Sequence, residues 1–527
     1  MSIEASPRID EKGRMNVLLI ICDQLRRDHL GYVGDPIVST PNIDELAAQG
    51  TDFTRTYTCV PTCAPNRASL FTARMPSAHG LRVNGMSLKW DTPTVTKALA
   101  DAGYETHLVG KSHLQPYGIG PGDKTIEMGT GAYFPDTDGD GADYTHEFAT
   151  RSRAEYVDYR DYYGWQGADM TLQHGDFVQG HYYWWLKDKG IAWEEVVGVK
   201  HALATDPDWP STVYKPSLPE DLYPTAFVQD RTIAALREYA RRGKPFFLTC
   251  SFPDPHHPFT PPGKYWGRHA PADMPLPKTF DDPAENAPPH IRSMKDAKGD
   301  HRDPYLGFAP SEAQYKAAMA AQYGQIEMID DAVGEIVRAV RELGLEDDTA
   351  IIFTSDHGDM FGDHGLMLKH CMHYDAMVRV PLVVKVPGRA QSVNDGFAMT
   401  MDIGATVLEL AGLGTITGQQ GRSLLDGVGD PARTVRESAY IEEELPYRMD
   451  GLEAPIRMRT VVTDKGRMTV YAGESFGELF DLVNDPDELH NLWGQPGSEE
   501  LYNEMMTALA RDAMATDPND MVPRYLG

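Results

Sequence analysis

Four short apolar runs of this sequence, each followed directly by polar residues, predict buried β-strands. The first run, Asn16–Cys22, is rich in leucine and β-branched residues and leads into Asp23. Residues 105–109, 245–251 and 350–354 repeat the same pattern. Short continuous apolar runs of this kind are typical of strands that are buried on both faces of a sheet.

Between these strands the apolar positions follow a helical period. Helices are predicted over residues 94–102, closed by a glycine, and over residues 225–241. The longest helix begins at Ser311, where Gln314 completes a capping-box pattern, and Gly344 can end it. Its buried stripe is predicted to contain Ile326, Ile329, Val333, Ile336, Val340 and Leu343. Alternating strands and helices predict an α/β fold with a mostly parallel sheet covered on both faces, and with its site at one edge.

Two regions break this alternation and suggest how the chain is organised. Residues 118–224 are rich in Tyr, Trp, Asp and Gly, so we interpret them as an insertion that shapes substrate access. After about residue 433 the runs become short and alternating, as in residues 457–463 and 467–471, and a helix is predicted over about residues 498–513. We therefore expect a catalytic α/β domain over residues 1–432 and a small antiparallel sheet with a helix over residues 433–527.

The charge balance limits the classes of partner. The 527 residues carry 49 Lys and Arg against 78 Asp and Glu, a net charge of −29. A field of that sign repels nucleic acid and anionic membranes, so neither is expected as a partner. A small anionic substrate must then be bound by a local cluster of positive charge.

The cysteines and the first residues bear on location. The five cysteines are Cys22, Cys59, Cys63, Cys250 and Cys371, an odd and sparse set without paired spacing. Such a set is typical of a reducing compartment. The first fifteen residues carry three acidic side chains, and the apolar run after them is short, so neither a signal peptide nor a membrane span is predicted. The expected location is cytoplasmic.

The run Cys63-Ala64-Pro65-Asn66-Arg67 is the most informative motif of the chain. It continues as Ser69-Leu70-Phe71-Thr72, although an alanine stands at position 73 where a glycine is usual. The run resembles the sequence that formylglycine-generating enzymes modify in sulfatases. A second run, which starts at Cys59, begins with the same Cys-x-Pro pattern. Cys63 occupies the place of its arginine, so Cys59 is not expected to be modified. The structural alternative is that Cys63 is a buried thiol in a proline-containing loop before a helix.

In motif order the chain resembles, over nearly its whole length, the formylglycine sulfatases and the related phosphonate monoester hydrolases of the alkaline phosphatase superfamily. Residues 478–486 also resemble the C-terminal signature of that family. The resemblance implies an alkaline phosphatase-like large mixed sheet between helices. It also implies that Cys63 is oxidised to formylglycine by a formylglycine-generating enzyme, that a sulfo-enzyme intermediate forms on it, and that the protein is a homo-oligomer. The hydrated aldehyde would be the nucleophile.

The resemblance also implies one divalent metal ion. Its ligands would be Asp23, Gln24, Asp356 and His357, together with the oxygen of the modified Cys63. Gln24 and His357 depart from the pattern of calcium sulfatases, which usually have aspartate and asparagine at those places. Because imidazole favours transition metals, Mn²⁺ is a candidate beside Ca²⁺.

Five further residues match family motifs that act on the substrate. Arg67 would stabilise the nucleophile, Lys111 would bind a sulfuryl oxygen, and His113 would take a proton when the intermediate collapses. His256, in a Pro-His-x-Pro-Phe motif, and Lys369 would face the leaving oxygen. His257 is adjacent, but the motif places its histidine at position 256.

The motifs leave three functions open. The first is metal-dependent hydrolysis of aryl or alkyl sulfate monoesters, which Lys111 and His113 favour because phosphonate hydrolases tend to lack this pair. The second is a phosphonate monoester or phosphodiester hydrolase with the same nucleophile, which Gln24, His357 and the substrate-binding candidate Asn84 favour. The third is a non-catalytic relative, against which the complete set of catalytic motifs counts.

Two other patterns have competing interpretations. Residues 136–147, from Asp136 to Glu147, match a calcium-binding EF-hand loop letter by letter, but Pro135 precedes them and no amphipathic helix flanks them. The aromatic run Tyr182-Tyr183-Trp184-Trp185 either lines a pocket for an aryl or cationic group or packs within the insertion.

Overall fold

The computed structural model describes residues 14–115, 162–299, 307–446, 448–449 and 451–516. The strands are β1 (Asn16–Cys22), β2 (Thr51–Tyr57), β3 (Glu105–Lys111), β4 (Gly167–Leu172), β5 (Gln179–Gly180), β6 (Ala204–Thr205), β7 (Tyr214–Lys215), β8 (Phe246–Ser251), β9 (Thr349–Ser355), β10 (Arg379–Val380), β11 (Leu382–Lys385), β12 (Ser392–Met399), β13 (Ala439–Glu444), β14 (Arg457–Val462), β15 (Gly466–Tyr471) and β16 (Gly477–Asp481). The α-helices are α1 (Pro41–Gln49), α2 (Cys63–Thr72), α3 (Pro76–His79), α4 (Val95–Asp101), α5 (His181–Asp188), α6 (Pro224–Arg242), α7 (Pro289–Asp296), α8 (Glu312–Glu342), α9 (Asp375–Val378), α10 (Thr400–Leu410) and α11 (Glu499–Ala515).

Within the described residues, ten strands form a large mixed sheet. Its order is β10-β2-β11-β9-β1-β8-β3-β4-β5, and β12 also pairs with β2. The central strands β9, β1, β8, β3 and β4 are mutually parallel, whereas β5, β10 and β11 pair antiparallel with their neighbours. The predicted fold class, a large and mostly parallel sheet with a small C-terminal antiparallel sheet, is confirmed.

Strand β1 shows why helices cover both faces of this sheet. Leu18 and Ile20 pack in one buried cluster with apolar side chains of α6 and α8. Val17, Leu19 and Ile21 pack in a second cluster with side chains of α2, α4 and α10. Burying each such side chain contributes about 1.5–3 kcal/mol, so the sheet is stable only when both faces are covered. Polar side chains that follow the strands are therefore confined to the sheet edge.

The predicted limits of the longest helix are confirmed. The side chain of Ser311 accepts a hydrogen bond from the Gln314 amide, and the Gln314 side chain accepts one from the Ser311 amide. At the other end Gly344 has a φ of 69°, the left-handed conformation that favours glycine. Helix α8 buries the predicted stripe against the sheet, except Leu343, which is partly buried.

The described part of residues 118–224 adds two strands to the main sheet, and β6 and β7 form a two-stranded sheet of their own. Strand β4 pairs parallel with β3, and β5 extends the sheet from β4. In α5 the rings of Tyr182 and Trp185 lie 5.8 and 5.6 Å from the ring of Phe227 in α6, which favours the packing interpretation of the aromatic run. The EF-hand-like residues 136–147 lie outside the described residues.

Strands β13 to β16 form a separate antiparallel sheet in chain order. Helix α11 covers it, with Met505 and Leu509 packed against Ile441, Val461 and Met468. The same cluster includes Met399 and Met401, so this sheet packs against β12 of the large sheet and against α10. Among the described residues, every helix is too short or too polar to cross a membrane.

Candidate active site

The strand register places the ends of four strands side by side. Cys22 of β1 pairs with Ser355 of β9, and Ile21 pairs with Ser251 of β8. Ser251 in turn pairs with Gly110 of β3. Because these strands are parallel, the polar residues that end or follow them start at one edge of the sheet, where α/β proteins form their sites.

Gly110 allows β3 to approach β8 closely at this edge. Its φ is 98°, and a Cβ atom at this position would lie 1.8 Å from the carbonyl oxygen of Ser251. A side chain at position 110 would therefore force the two strands apart. Because β3 lies this close to β8, the next residue, Lys111, lies at the site.

Cys63 is the first residue of α2 and is only 2% exposed. The Nζ atom of Lys369 donates to its sulfur at 3.0 Å, and the Nε2 atom of His357 lies 3.5 Å from it. Burial alone would raise the pKa of this thiol. The positive charges of Lys111 and Lys369, with hydrogen bonds from His113 and another histidine, instead hold the pKa of Cys63 well below its usual value.

Four potential metal ligands converge beside this sulfur. One ligand atom from each of Asp23, Cys63, Asp356 and His357 lies within 4.8 Å of the others, and all four residues are buried. The backbone amide of Gln24 donates to Asp356 Oδ1 at 3.1 Å, which holds the two strand ends together. Four of the five sequence-predicted ligands therefore meet in one pocket, whereas the Gln24 side chain donates to Asp359.

Three features of this pocket fit a divalent cation. Among the described residues, Asp23 Oδ1 and Gln24 Oε1 are buried and accept no hydrogen bond. Such buried acceptors are costly unless a donor or a cation satisfies them. His357 Nδ1 lies 2.8 Å from the carbonyl oxygen of Gly358 and donates to it, so Nε2 carries the lone pair. Nε2 accepts from Lys369 Nζ at 3.1 Å and lies 3.5 Å from the Cys63 sulfur, 3.6 Å from Asp23 and 3.7 Å from Asp356.

Arg67 is fully buried, and its charge interacts with Cys63. Its Nε atom donates to Asp356 Oδ2 at 2.8 Å, and one terminal nitrogen donates to the Lys111 carbonyl oxygen and to Ser251 Oγ. The other terminal nitrogen lies 3.8 Å from Asp23. A buried guanidinium held at several points is a preorganised positive charge.

Lys111 and His113 also reach the pocket. The Lys111 ammonium donates to Asp23 Oδ2 and, at 2.7 Å, to His174 Nε2. Burial lowers the pKa of His113 to about 3, against a hydrogen bond with Cys63 that raises it. Lys111 and His113, the predicted pair, thus both lie beside Cys63.

His256 lies on the side of the pocket where Lys369 enters. Its Nδ1 atom donates to the carbonyl oxygen of His257 at 2.6 Å, so Nε2 accepts from Lys369 Nζ at 3.0 Å. His257, which is out of register in the motif, stacks on His256 and lies 3.5 Å from the Gln24 side chain. The residue that contacts Lys369 is therefore the one that the motif register selects.

Asn84 is exposed and contacts the start of α2. Its Oδ1 atom accepts a hydrogen bond from the Ala64 amide at 3.1 Å, directly after Cys63. This contact uses the acceptor of the side chain and leaves its amide nitrogen for another partner. A role in substrate binding stays a prediction.

The sequence did not predict His174. Its ring stacks on His256 with centroids 3.6 Å apart, and its Nε2 atom lies 3.5 Å from Asp23 Oδ2. His174 follows β4 in the same way that the predicted site residues follow β1, β3, β8 and β9. A polar residue after a strand is thus the signal that could have found it, but the interpretation of residues 118–224 as an insertion obscured that signal.

Comparisons with known proteins agree with this arrangement. The sulfatase family model matches residues 15–413, and a model of the C-terminal part of N-sulphoglucosamine sulphohydrolase matches residues 362–515. An arylsulfatase of Clostridium perfringens is 30% identical, with 97% of this chain and 98% of the relative covered. The multifunctional alkaline phosphatase superfamily protein PehA of Trinickia caryophylli is also 30% identical, with 93% of each chain covered. The structure of a phosphonate monoester hydrolase from Silicibacter pomeroyi aligns with a TM-score of 0.77 over 96% of each chain at 24% identity.

The site and the relatives that match over nearly the whole chain define a hydrolase of the alkaline phosphatase superfamily. Within it, the chain belongs to the sulfatase family and is a sulfuric ester hydrolase. Members of this family generally use a formylglycine residue and a metal ion.

Proposed function

We propose that this protein hydrolyses aryl or alkyl sulfate monoesters with a formylglycine formed from Cys63. The observation that supports this most is the placement of Lys111 and His113 beside the Cys63 sulfur. The similarity to an arylsulfatase over nearly the whole chain gives further support. In this proposal one hydroxyl of the hydrated aldehyde attacks sulfur, and the bond from sulfur to the ester oxygen breaks, which releases the alcohol. Loss of the second hydroxyl proton then re-forms the aldehyde carbonyl as the carbon–oxygen bond to sulfate breaks, and water hydrates the aldehyde again.

The positive side chains would bind the substrate. Arg67, Lys111 and Lys369 surround the nucleophile in a chain whose net charge is −29, so they form the local cationic cluster that an anionic ester requires. Lys111 would hold a sulfuryl oxygen. Arg67 would stabilise negative charge on the nucleophile.

The histidines would move protons on opposite sides of the reacting centre. His256 Nε2, beside the Lys369 ammonium, would face the leaving oxygen, so the pair would donate a proton or positive charge as the ester bond breaks. His113, on the nucleophile side, would accept the hydroxyl proton that starts release of sulfate.

Asp23, Gln24, Asp356 and His357, with the modified Cys63, would hold one divalent ion. When bound, the ion would lower the pKa of the nucleophile and neutralise charge on the substrate. Three oxygen-bearing side chains and one imidazole favour Mn²⁺, with Ca²⁺ as the alternative.

The metal preference can be tested at His357. After dialysis against equal concentrations of Mn²⁺ and Ca²⁺, the parent protein is expected to retain mainly Mn²⁺, measured by elemental analysis. His357→Asn should shift the ratio of bound Mn²⁺ to Ca²⁺ by about 10–100-fold toward Ca²⁺, because an amide oxygen replaces the imidazole. His79→Asn removes another buried imidazole, one that contacts Ser69 and Leu81, and should leave the ratio unchanged. A parent protein that prefers Ca²⁺ would refute the Mn²⁺ assignment.

A second function, hydrolysis of phosphonate monoesters or phosphodiesters, is favoured by Gln24, Asn84 and His357, and the similarity to the multifunctional protein PehA supports it. The two functions can be distinguished by measuring kcat/KM for an aryl sulfate and for the matched aryl phosphonate monoester. The protein must first be shown by mass to carry the aldehyde at Cys63. We expect a preference for sulfate, and we expect Lys111→Ala to reduce sulfate hydrolysis by about 10²–10³-fold while affecting the phosphonate less. A preference of the parent for the phosphonate would mean that the second function is the main one.

The five cysteines support a further proposal about location. All five are buried and unpaired, which is the state expected in a reducing compartment such as the cytoplasm. Because Cys63 would have to be converted to formylglycine, a formylglycine-generating enzyme would be a transient partner during maturation.

A further inference from the structure

The loop that carries Lys369, residues 366–374, has an unusual backbone. Leu368, His370 and Cys371 have φ values of 66°, 88° and 58°, so three non-glycine residues on both sides of Lys369 adopt the left-handed conformation. This conformation is unfavourable for L residues and persists only when surrounding contacts impose it. The Lys369 loop therefore requires anchors outside itself.

One anchor is Glu443, which comes from β13 in the C-terminal sheet. Its Oε2 atom accepts hydrogen bonds from the Cys371 amide at 2.7 Å and from His373 Nε2 at 3.2 Å. Its Oε1 atom lies 3.2 Å from His370 Nδ1. The side chain is 1% exposed, and a buried carboxylate of this kind is stable only when its oxygens accept several hydrogen bonds.

The same carboxylate also contacts the residue before the nucleophile. Thr62 Oγ1 donates to Glu443 Oε1 at 3.2 Å and lies 3.3 Å from His370 Nδ1. Thr62 precedes Cys63 directly, at the N-terminus of α2. Glu443 therefore joins the start of the nucleophile helix to the Lys369 loop.

The Lys369 loop is held on both sides of Lys369. On one side, His373 Nδ1 lies 2.7 Å from Thr460 Oγ1, which is hydrogen-bonded to Thr469, so the contacts continue into β14 and β15. On the other side of Lys369, the Leu368 amide donates to Asp359 at 2.8 Å. Burial acts to raise the pKa of Glu443, but hydrogen bonds with His370 and His373 lower it to about 2, so the side chain is a carboxylate at neutral pH.

We propose that Glu443 is a positioning residue, contributed by the C-terminal sheet, that fixes the Lys369 ammonium relative to Cys63 and to the leaving oxygen of the substrate. The proposal rests on the function proposed above, because it assigns Lys369 to the leaving group. It also gives the C-terminal sheet a part in catalysis that is separate from its part in stability.

The test compares full-length Glu443→Gln and Glu443→Ala with the parent, using aryl sulfates whose phenol leaving groups span a wide range of pKa. Glutamine keeps the size of the side chain but loses the charge and one acceptor. For poor leaving groups we expect kcat to fall by about 10–100-fold, since a misplaced catalytic group costs about this much. For good leaving groups, which need little assistance, the loss should be less than about threefold. The plot of log kcat against leaving-group pKa should therefore become steeper.

Glu442→Gln is the matched control. Glu442 is the adjacent buried carboxylate of β13, but its oxygens accept from the amide and hydroxyl of Ser77 and not from the Lys369 loop. This variant should keep the parent slope even if it unfolds at a lower temperature. An equal loss of kcat for all leaving groups in the Glu443 variants would overturn the proposal, because a purely structural defect acts uniformly.

Hydrogen exchange of the amides in residues 366–374 gives a readout that does not depend on activity. Exchange there should be at least about tenfold faster in Glu443→Gln than in the parent and in Glu442→Gln, because the Cys371 amide loses a charged acceptor. Unchanged exchange would also overturn the proposal. If the parent itself fails to hydrolyse aryl sulfates, the proposed function is wrong, and the exchange result alone decides whether Glu443 holds the loop.

Discussion

Replacing Cys63 with alanine is expected to lower kcat/KM for an aryl sulfate by about 10⁴-fold or more, since removing a covalent nucleophile typically has an effect of this size. The variant should remain folded, because at most two heavy atoms are lost from the side chain at position 63. The measurement is kcat/KM on protein of known metal content, with the thermal midpoint recorded beside it.

Cys59→Ala is the matched control for this substitution. Cys59 is as deeply buried and lies four residues upstream, but burial raises the pKa of its thiol to about 12 and its amide is held by Asn66 and Thr400. Its removal should leave kcat/KM within about threefold of the parent, as expected for a residue without a role in the transition state. A Cys63→Ala variant as active as the parent, with equal metal content, would contradict the covalent mechanism.

The central strands could be predicted because both of their faces are buried. A strand such as β1, with helices packed on each side, must be apolar throughout, and the polar residues directly after it then identify the sheet edge. For the same reason the amino-acid sequence alone predicts that Asp23 and Asp356 lie near each other. The parallel register of β1 and β9 is the physical link between that pattern and the site.

Strand β2 shows where this reasoning failed. Its sequence, Thr-Asp-Phe-Thr-Arg-Thr-Tyr, is mostly polar, yet β2 pairs with β10, β11 and β12. Its polar side chains are satisfied by distant partners, as in the ion pair of Asp52 with Arg27 at 2.7 Å. Hydrophobic periodicity does not contain such tertiary information, so the antiparallel part of the sheet was not predicted.

Glu443 illustrates the same limit at the site. Nothing in the run of β13 distinguishes it from Glu442 and Glu444, because all three are acidic residues of one strand. Only the packing of the C-terminal sheet against the Lys369 loop separates their roles. Motifs therefore identified the groups that the structure brings together around Cys63, whereas the residues that contact those groups from other elements required the structure.

Replacing Asp356 with asparagine is expected to remove both the bound metal and most of the activity. Asp356 accepts from Arg67 and from the amides of Gln24 and His357, so its carboxylate orders the pocket besides offering a metal ligand. Loss of one anionic ligand should weaken metal affinity by at least about 10–100-fold. Because a divalent ion stabilises charge in the transition state by several kcal/mol, kcat/KM should fall by about 10³-fold.

The matched control for this substitution is Asp402→Asn, which alters another fully buried carboxylate. Asp402 is paired with Arg436 at 2.6 Å, and its remaining contacts are with backbone amides of positions 399 and 422. Breaking this pair should lower the free energy of unfolding by about 3–5 kcal/mol, since it leaves an arginine without its buried partner. Metal content and kcat/KM per folded molecule should stay near those of the parent. If Asp356→Asn instead bound metal with the affinity of the parent, the ion would not need the negative charge of the Asp356 carboxylate, and the place of Asp356 in the proposed ligand set would be wrong.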